Sequence, residues 1–78
     1  MKNIYLLKDL AEISGYSTYT LKFYLQKGLF KEIGRSPSTN FRYFDDSSFA
    51  KLKKIRDMQK QNLSLKEIQQ RLNKDHGH

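Results

Sequence analysis

The chain has 78 residues and no cysteine, and its 15 lysines and arginines against 8 aspartates and glutamates give a net charge of +7. This length predicts one small domain, and the missing cysteines exclude disulfide bonds, a zinc ribbon and a cysteine nucleophile. No apolar run approaches the ~20 residues of a membrane span and no signal peptide is evident, so we expect a cytoplasmic protein. The positive charge favours a polyanionic partner, either nucleic acid or an acidic membrane face.

Two short helices are predicted first. The apolar spacing indicates a helix with one buried face, which carries Leu7, Leu10, Ala11 and either Ile13 or Ser14. Gly15 suits the positive φ that often ends a helix. Ser17 or Thr18 can cap a second helix that runs to about Lys27, and Gly28 can end it. Two helices joined by a short turn that contains glycine are the outline of a helix-turn-helix.

A two-stranded wing is predicted next. Residues 34–40 hold the only proline of the chain and no apolar side chain, which indicates a loop. The aromatic run from Phe41 to Phe44 is typical of a short strand, and the predicted partner strand is Phe30 to Ile33. A ribbon of this kind behind a helix-turn-helix is called a wing.

Two further helices complete the prediction. Asp45 or Asp46 can cap the third, which ends near Asn62 and has a face formed by Phe49, Leu52, Ile55 or Arg56, and Gln59. Ser64 and Glu67 have the spacing of a capping box for the fourth, whose apolar stripe is Leu65, Ile68 and Leu72. The fold class is therefore mainly α: a winged helix-turn-helix of four helices, with the wing between the second and third. Residues 1–74 form the domain, and residues 75–78 are expected to be a disordered tail.

The second helix carries more aromatic and polar side chains than packing needs. A helical wheel assigns Thr18, Leu21 and Leu25 to the core. It places Tyr19, Lys22, Phe23 and Gln26 on a second arc, with Phe23 at the packed edge, and Thr20, Tyr24 and Lys27 on a third. A recognition helix in the major groove presents such side chains to base edges and phosphates, and Arg35 and Arg42 can contact the DNA backbone from the wing.

These residues also carry a family resemblance. Residues 5–30, Y-L-L-K-D-L-A-E-I-S-G-Y-S-T-Y-T-L-K-F-Y-L-Q-K-G-L-F, resemble the opening of MerR-family transcription regulators, in which a glycine turn precedes T-L-R-Y-Y-E. Phe41 to Asp45 is similar to the wing of that family, and residues 52–67 are similar to its third and fourth helices. The resemblance covers residues 4 to about 73. It implies DNA contacts from Tyr19, Lys22, Tyr24, Arg35 and Arg42, with Phe41 as a further candidate. Gln26 is a candidate from its place on the outer arc of the second helix, from which it could reach an adenine edge.

The sequence departs from the family pattern at several positions. Lys22 replaces a common arginine, which keeps the charge and loses the bidentate fork. Phe41 stands where the family often has a contacting tyrosine, so it can make only apolar contacts. Leu25 replaces a common glutamate, and Asn40 replaces a common glycine in a loop that is one residue longer. Typical members continue into a dimerising helix and an effector-binding segment, and we expect neither in this chain, nor a cofactor, metal or small-molecule effector.

We expect sequence-preferring binding of double-stranded DNA by a bacterial, nucleoid-associated transcription regulator with no membrane partner, as a homodimer or a cooperative assembly on DNA. The alternative is a small architectural protein of the excisionase or plasmid/chromosome-maintenance type. A protein-interaction module that has lost DNA binding is a further alternative, which the retained Lys22, Arg35 and Arg42 disfavour. We do not expect an enzyme, because Asp45 and Asp46 are better explained as a helix cap than as an acid–base pair.

Overall fold

A computed structural model describes the backbone of residues 3–76 and the side chains of residues 3–73. Its elements are, in chain order, β1 (Tyr5–Leu6), α1 (Leu7–Ser14), α2 (Thr18–Gln26), β2 (Gly34–Arg35), β3 (Arg42–Phe44), α3 (Asp46–Lys60) and α4 (Leu65–His76). Residues 3–76 thus form four helices and a small sheet, which confirms the predicted mainly α winged helix-turn-helix. None of the helices in this range is both long and apolar enough to cross a membrane.

The turn between α1 and α2 has the predicted chemistry. Gly15 follows α1 with a φ of 81°, and its backbone N–H donates to the Ala11 carbonyl at 3.0 Å. Ser17 caps α2, because its hydroxyl accepts a hydrogen bond from the Thr20 N–H at 3.1 Å. Gly28 follows α2 with a φ of 78°. Both glycines occupy the left-handed region that a side chain disfavours, so the two short helices end where the sequence indicates.

The caps of α3 and α4 also follow local sequence. Asp45 caps α3 and accepts a hydrogen bond from the Ser47 N–H at 3.0 Å. Glu67 accepts from the Ser64 N–H at 2.9 Å, and the Ser64 hydroxyl accepts from the Glu67 N–H at 3.2 Å. This reciprocal pair confirms the predicted capping box, in which each side chain satisfies a backbone donor that the first helical turn leaves unpaired.

The sheet differs from the predicted two-stranded wing. Among the described residues, β3 is the central strand of three, and it pairs antiparallel with β1 on one side and with β2 on the other. The predicted partner strand, Phe30 to Ile33, is wrong, since Gly34–Arg35 pairs with β3 instead. Phe30 is buried in the core, and its ring centre lies 5.6 Å from that of Phe44. Phe30 is therefore apolar because it packs in the core, whereas Ile33 is 46% exposed and its N–H donates to the Tyr43 carbonyl at 3.0 Å, next to the pairing of β2 with β3.

The core draws on every helix and on the central strand. Its buried side chains are Leu10, Ala11, Leu21, Tyr24, Leu29, Phe30, Phe44, Leu52, Ile55, Ile68 and Leu72. Most of the predicted apolar stripes are confirmed by this set. Of the alternatives at the end of the first stripe, Ser14 is half-buried and Ile13 is 44% exposed. The predicted core positions that lie only at the margin are the half-buried Leu7, Leu25, Phe49 and Leu65, and the exposed exceptions are Thr18 and Gln59. Of the residues predicted as a tail, Asp75 and His76 belong to α4, and residues 77–78 lie outside the described residues.

Candidate nucleic-acid interface

The exposed face of α2 carries three of the predicted contact residues. Tyr19 is 82% exposed, and Lys22 and Gln26 are also exposed, as the helical wheel predicts. The face exists because the buried residues of α2, Leu21 and Tyr24, lie on the opposite side of the helix. A helix nine residues long with only one buried arc leaves a cationic and polar surface free for an external partner.

Tyr24 does not belong to that exposed surface. The wheel places it on an outer arc, and this placement is wrong, because the side chain is only 4% exposed. Its hydroxyl accepts a hydrogen bond of 2.7 Å from Gln59 Nε2 on α3, and its ring packs edge-on against Tyr16 at 5.4 Å between centres. The packing of α3 against α2 extends the buried arc from Leu21 to Tyr24. We therefore remove Tyr24 from the proposed set of DNA contacts.

Phe23 is more exposed than the sequence predicts. We assign it to packing from sequence, yet its side chain is 37% exposed and more open than that of Tyr24. Lys27 Nζ lies 5.5 Å from the centre of its ring, within the range of a cation–π contact. Phe23 thus adds an apolar ring to the exposed face of α2, between Tyr19 and Lys27.

The turn before α2 is held by α3. Arg56 Nη2 donates a hydrogen bond of 2.9 Å to the Ser14 carbonyl, and the guanidinium lies 4.6 Å from the centre of the Tyr16 ring. The Tyr16 hydroxyl donates to Gln59 Oε1 at 3.0 Å, and burial together with the nearby Tyr24 raises the pKa of Tyr16. These contacts join α3 to the turn that leads into α2. Sequence reasoning did not find this role for Arg56 and Gln59.

A cleft lies on the surface between α2 and the wing. It has a volume of about 610 Å³, and its lining residues are Leu6, Leu7, Lys8, Lys22, Arg35, Asn40, Phe41 and Arg42. The fold thus brings together Lys22, both predicted arginines and Phe41, which are up to twenty residues apart in sequence. It adds Lys8, which sequence reasoning missed because nothing in the local pattern indicates that the first turn of α1 faces the wing.

The wing tip presents an aromatic ring beside these cations. Ser36 N–H donates to the Phe41 carbonyl at 2.9 Å, and Asn40 N–H donates to the Ser36 carbonyl at 2.7 Å. Asn40 has a φ of 61°, in the left-handed region, which asparagine tolerates better than most residues with a side chain. This backbone explains why asparagine can replace glycine at the tip. Phe41 is left 61% exposed, facing outward beside Arg42.

A carboxylate lies among the cations of the wing. Glu32 Oε2 is 3.3 Å from Arg35 Nε and 3.8 Å from Arg42 Nε. A hydrogen bond from its own backbone N–H and the charges of both arginines hold the pKa of Glu32 below its usual value. Glu32 also lines a second depression of about 350 Å³, together with Lys22, Leu25, Gln26 and Arg42. This depression extends the interface along α2 to Gln26.

The arrangement is a winged helix-turn-helix domain with a cationic cleft between its second helix and its wing. A family model described as "MerR HTH family regulatory protein" matches residues 5–75. HTH-type transcriptional regulator CueR of Bacillus subtilis (strain 168) is 37% identical over 68 residues, which are 87% of this chain and 46% of that protein.

Two solved structures are similar in fold. A MerR-family transcriptional regulator from Bacillus cereus has a TM-score of 0.81 at 20% identity, over 87% of this chain and 50% of that chain. HiNmlR, a MerR family regulator that lacks the sensor domain and was solved bound to promoter DNA, has a TM-score of 0.83 at 30% identity. That match covers 97% of this chain and 58% of HiNmlR.

This chain belongs to the MerR HTH family of regulatory proteins. The resemblance that the sequence carries is thereby confirmed, and the family is one of transcription regulators, not of enzymes. The chain spans about half the length of the relatives it matches.

Proposed function

We propose that this domain binds double-stranded DNA with α2 in the major groove and the wing on the phosphate backbone, and that it regulates transcription. The observation that carries the proposal is the shared cleft, in which Lys22 of α2 lines the same depression as Arg35 and Arg42 of the wing. A helix that enters the groove brings the adjacent backbone to the wing, so a cleft lined from both sides fits a duplex. The promoter DNA bound by HiNmlR supports this interpretation.

Each side chain then has a role that follows from its chemistry. Lys22 donates to a phosphate or a guanine edge, the Tyr19 hydroxyl donates to a phosphate, and Gln26 reaches an adenine edge. Arg35 and Arg42 contact phosphates from the wing, and Lys8 joins them from α1. Phe41 has no polar atom in its side chain, so its contact is with the sugar or another apolar part of the DNA. Phosphate contacts set affinity and register, and Gln26 carries sequence information.

The small number of cations in the cleft limits the affinity of one domain for DNA. The lining of the cleft includes Lys8, Lys22, Arg35 and Arg42, so one domain makes on the order of four to six phosphate contacts. Such a domain binds weakly at physiological salt, and two domains on a symmetric site double the contacts. We therefore propose that the chain acts on DNA as a homodimer or a cooperative assembly, in the bacterial cytoplasm.

The test is a titration of a fluorescent random-sequence duplex with the protein over a series of salt concentrations. We expect binding at low salt, with a logarithm of affinity that falls linearly with the logarithm of salt. Sedimentation of the complex then measures how many chains bind each duplex. No binding to any duplex at low salt overturns the proposal.

A further inference from the structure

Glu32 is a carboxylate placed among the cations of the proposed DNA interface. Its Oε2 atom lies 3.3 Å from Arg35 Nε and 3.8 Å from Arg42 Nε, so a single oxygen pairs with both wing arginines. Lys22 lines the same depression from the side of α2. Two cations that we propose for DNA binding therefore pair with a single carboxylate, and a third lines the depression beside it.

A carboxylate and a phosphate offer the same type of acceptor to a guanidinium. In the unbound protein, the Glu32 carboxylate takes the place beside both arginines that a DNA phosphate would take in the complex. When a duplex enters the cleft, a phosphate that contacts Arg35 or Arg42 comes close to the Glu32 carboxylate as well. The two anions repel each other and share the same donors.

We propose that Glu32 is an internal competitor for the DNA phosphate, which holds the wing arginines in the unbound protein and limits the affinity for any duplex. The inference rests on the proposed function, since it assumes that the cleft receives DNA. It assigns a role to a residue that the sequence motifs of the interface do not include.

Glu32 has two opposing effects on DNA binding. It orders the arginine side chains, which favours binding. It also repels phosphate and occupies the N–H donors of the arginines, which disfavours binding. The side chains of Arg35 and Arg42 are 44% and 40% exposed, so water screens these ion pairs and the ordering effect is small. A duplex that covers the wing displaces this water, so the repulsion between Glu32 and a phosphate is screened less in the complex than the ion pairs are in the unbound protein, and the competing effect dominates.

The experiment compares Glu32→Gln with Asp57→Asn in the full chain. Both variants raise the net charge by one, but Asp57 is exposed on α3 and lines neither depression. With a random-sequence duplex at low salt, we expect Glu32→Gln to bind about three- to tenfold more tightly than Asp57→Asn. We also expect the slope of log affinity against log salt to steepen by about one unit in Glu32→Gln only.

A measurement without DNA separates the two proposals. In the unbound protein, the Nε–Hε NMR signals of both arginines are expected to move together when Glu32→Gln is made, and to stay in place in Asp57→Asn. If wild type binds DNA but Glu32→Gln binds equally or more weakly than Asp57→Asn, Glu32 orients the arginines and the inference is wrong, while the proposed function stands. If neither variant nor wild type binds any duplex, the proposed function fails and this inference fails with it.

Discussion

Gln59 Nε2 on α3 donates a hydrogen bond of 2.7 Å to the hydroxyl of Tyr24 on α2. The oxygen of the same amide, Gln59 Oε1, accepts a hydrogen bond of 3.0 Å from the Tyr16 hydroxyl. One glutamine side chain thus joins the turn before α2 to the buried side of α2. The contact lies on the buried side of α2, away from the exposed Tyr19, so it stabilises the packing of α2 without forming part of the exposed face.

We expect Tyr24→Phe to lower the free energy of unfolding by about 1 kcal/mol, because the hydrogen bond to Gln59 is lost while the ring is kept. Urea titration measures this change. Duplex affinity should stay within about twofold of wild type, because a buried hydroxyl makes no phosphate contact.

Tyr19→Phe is the matched control, since it removes the hydroxyl of an exposed tyrosine from the same helix. We expect unchanged stability and a weaker affinity for DNA. A Tyr24→Phe variant of normal stability that loses affinity and salt dependence would show that Tyr24 contacts phosphate after all.

We expect Lys22→Ala to weaken duplex binding about fivefold and to lower the salt slope by about one unit, because one cation leaves the cleft. The measurement is the salt series of the duplex titration. Lys66→Ala is the control, with the same loss of charge at an exposed position on α4. Equal effects of the two substitutions would mean that only net charge matters and that the cleft is not the interface.

Gly34 and Tyr43 form a cross-strand pair, and a side chain at position 34 is expected to clash with the Tyr43 ring. A Cβ atom there would lie 2.5 Å from Tyr43 Cζ, so Gly34→Ala must displace the tyrosine ring. We expect a loss of about 1–3 kcal/mol in unfolding free energy, measured by urea titration. In a Tyr43→Ala background the same substitution should cost less, and equal costs in the two backgrounds would show that the ring does not fill this space.

The contact between Tyr5 and Asp46 predicts a pH dependence. The Tyr5 hydroxyl donates to Asp46 Oδ1 at 2.8 Å, and this hydrogen bond is the main reason that the pKa of Asp46 lies below its usual 3.8. Because the folded pKa is lowered, the contribution of Asp46 to stability is present above pH 3.8 and is lost as the pH falls through the lowered pKa. The same contact raises the pKa of Tyr5 above 10.0, so its contribution is present below pH 10.0 and is lost as the pH rises through the raised value.

Tyr5→Phe removes this hydrogen bond and keeps the ring. We expect the pKa of Asp46 to rise toward 3.8, measured from the NMR signal of its carboxyl carbon across an acid titration. Asn3 also donates to this carboxylate, at 3.4 Å, so the return should be incomplete. An unchanged pKa of Asp46 in Tyr5→Phe would contradict the assignment of the cause.

Features that depend on neighbours in sequence were predicted well. The caps at Ser17, Asp45 and Ser64 each involve a backbone group two or three residues away, so the sequence alone contains both partners. Features that depend on distant partners were predicted poorly. The strand β1 has only two residues, which is too short for a recognisable pattern, and it forms because β3 pairs with it.

In the candidate site, too, the features set by nearby residues were predicted and those set by distant residues were not. Exposed Tyr19, Lys22 and Gln26 follow from the helical period, and the chemistry of their side chains is enough to indicate a nucleic-acid partner. The wheel could not identify the buried neighbour of Leu21, because a helix of nine residues has room for Tyr24 or Leu25 on its inner side. The position of α3 decides between the two residues.

The sequence by itself determined the number of helices, the caps of α2, α3 and α4, the glycine turn, the charge of the domain and its family, because these depend on residue type and short-range spacing. Tertiary structure decided that Tyr24 is buried against Gln59, 35 residues away, and that Lys8 joins Lys22 in the cleft. It also decided that Glu32 pairs with both arginines of the wing. These outcomes depend on which helices and strands pack together, and short-range sequence patterns contain no information about contacts at that distance.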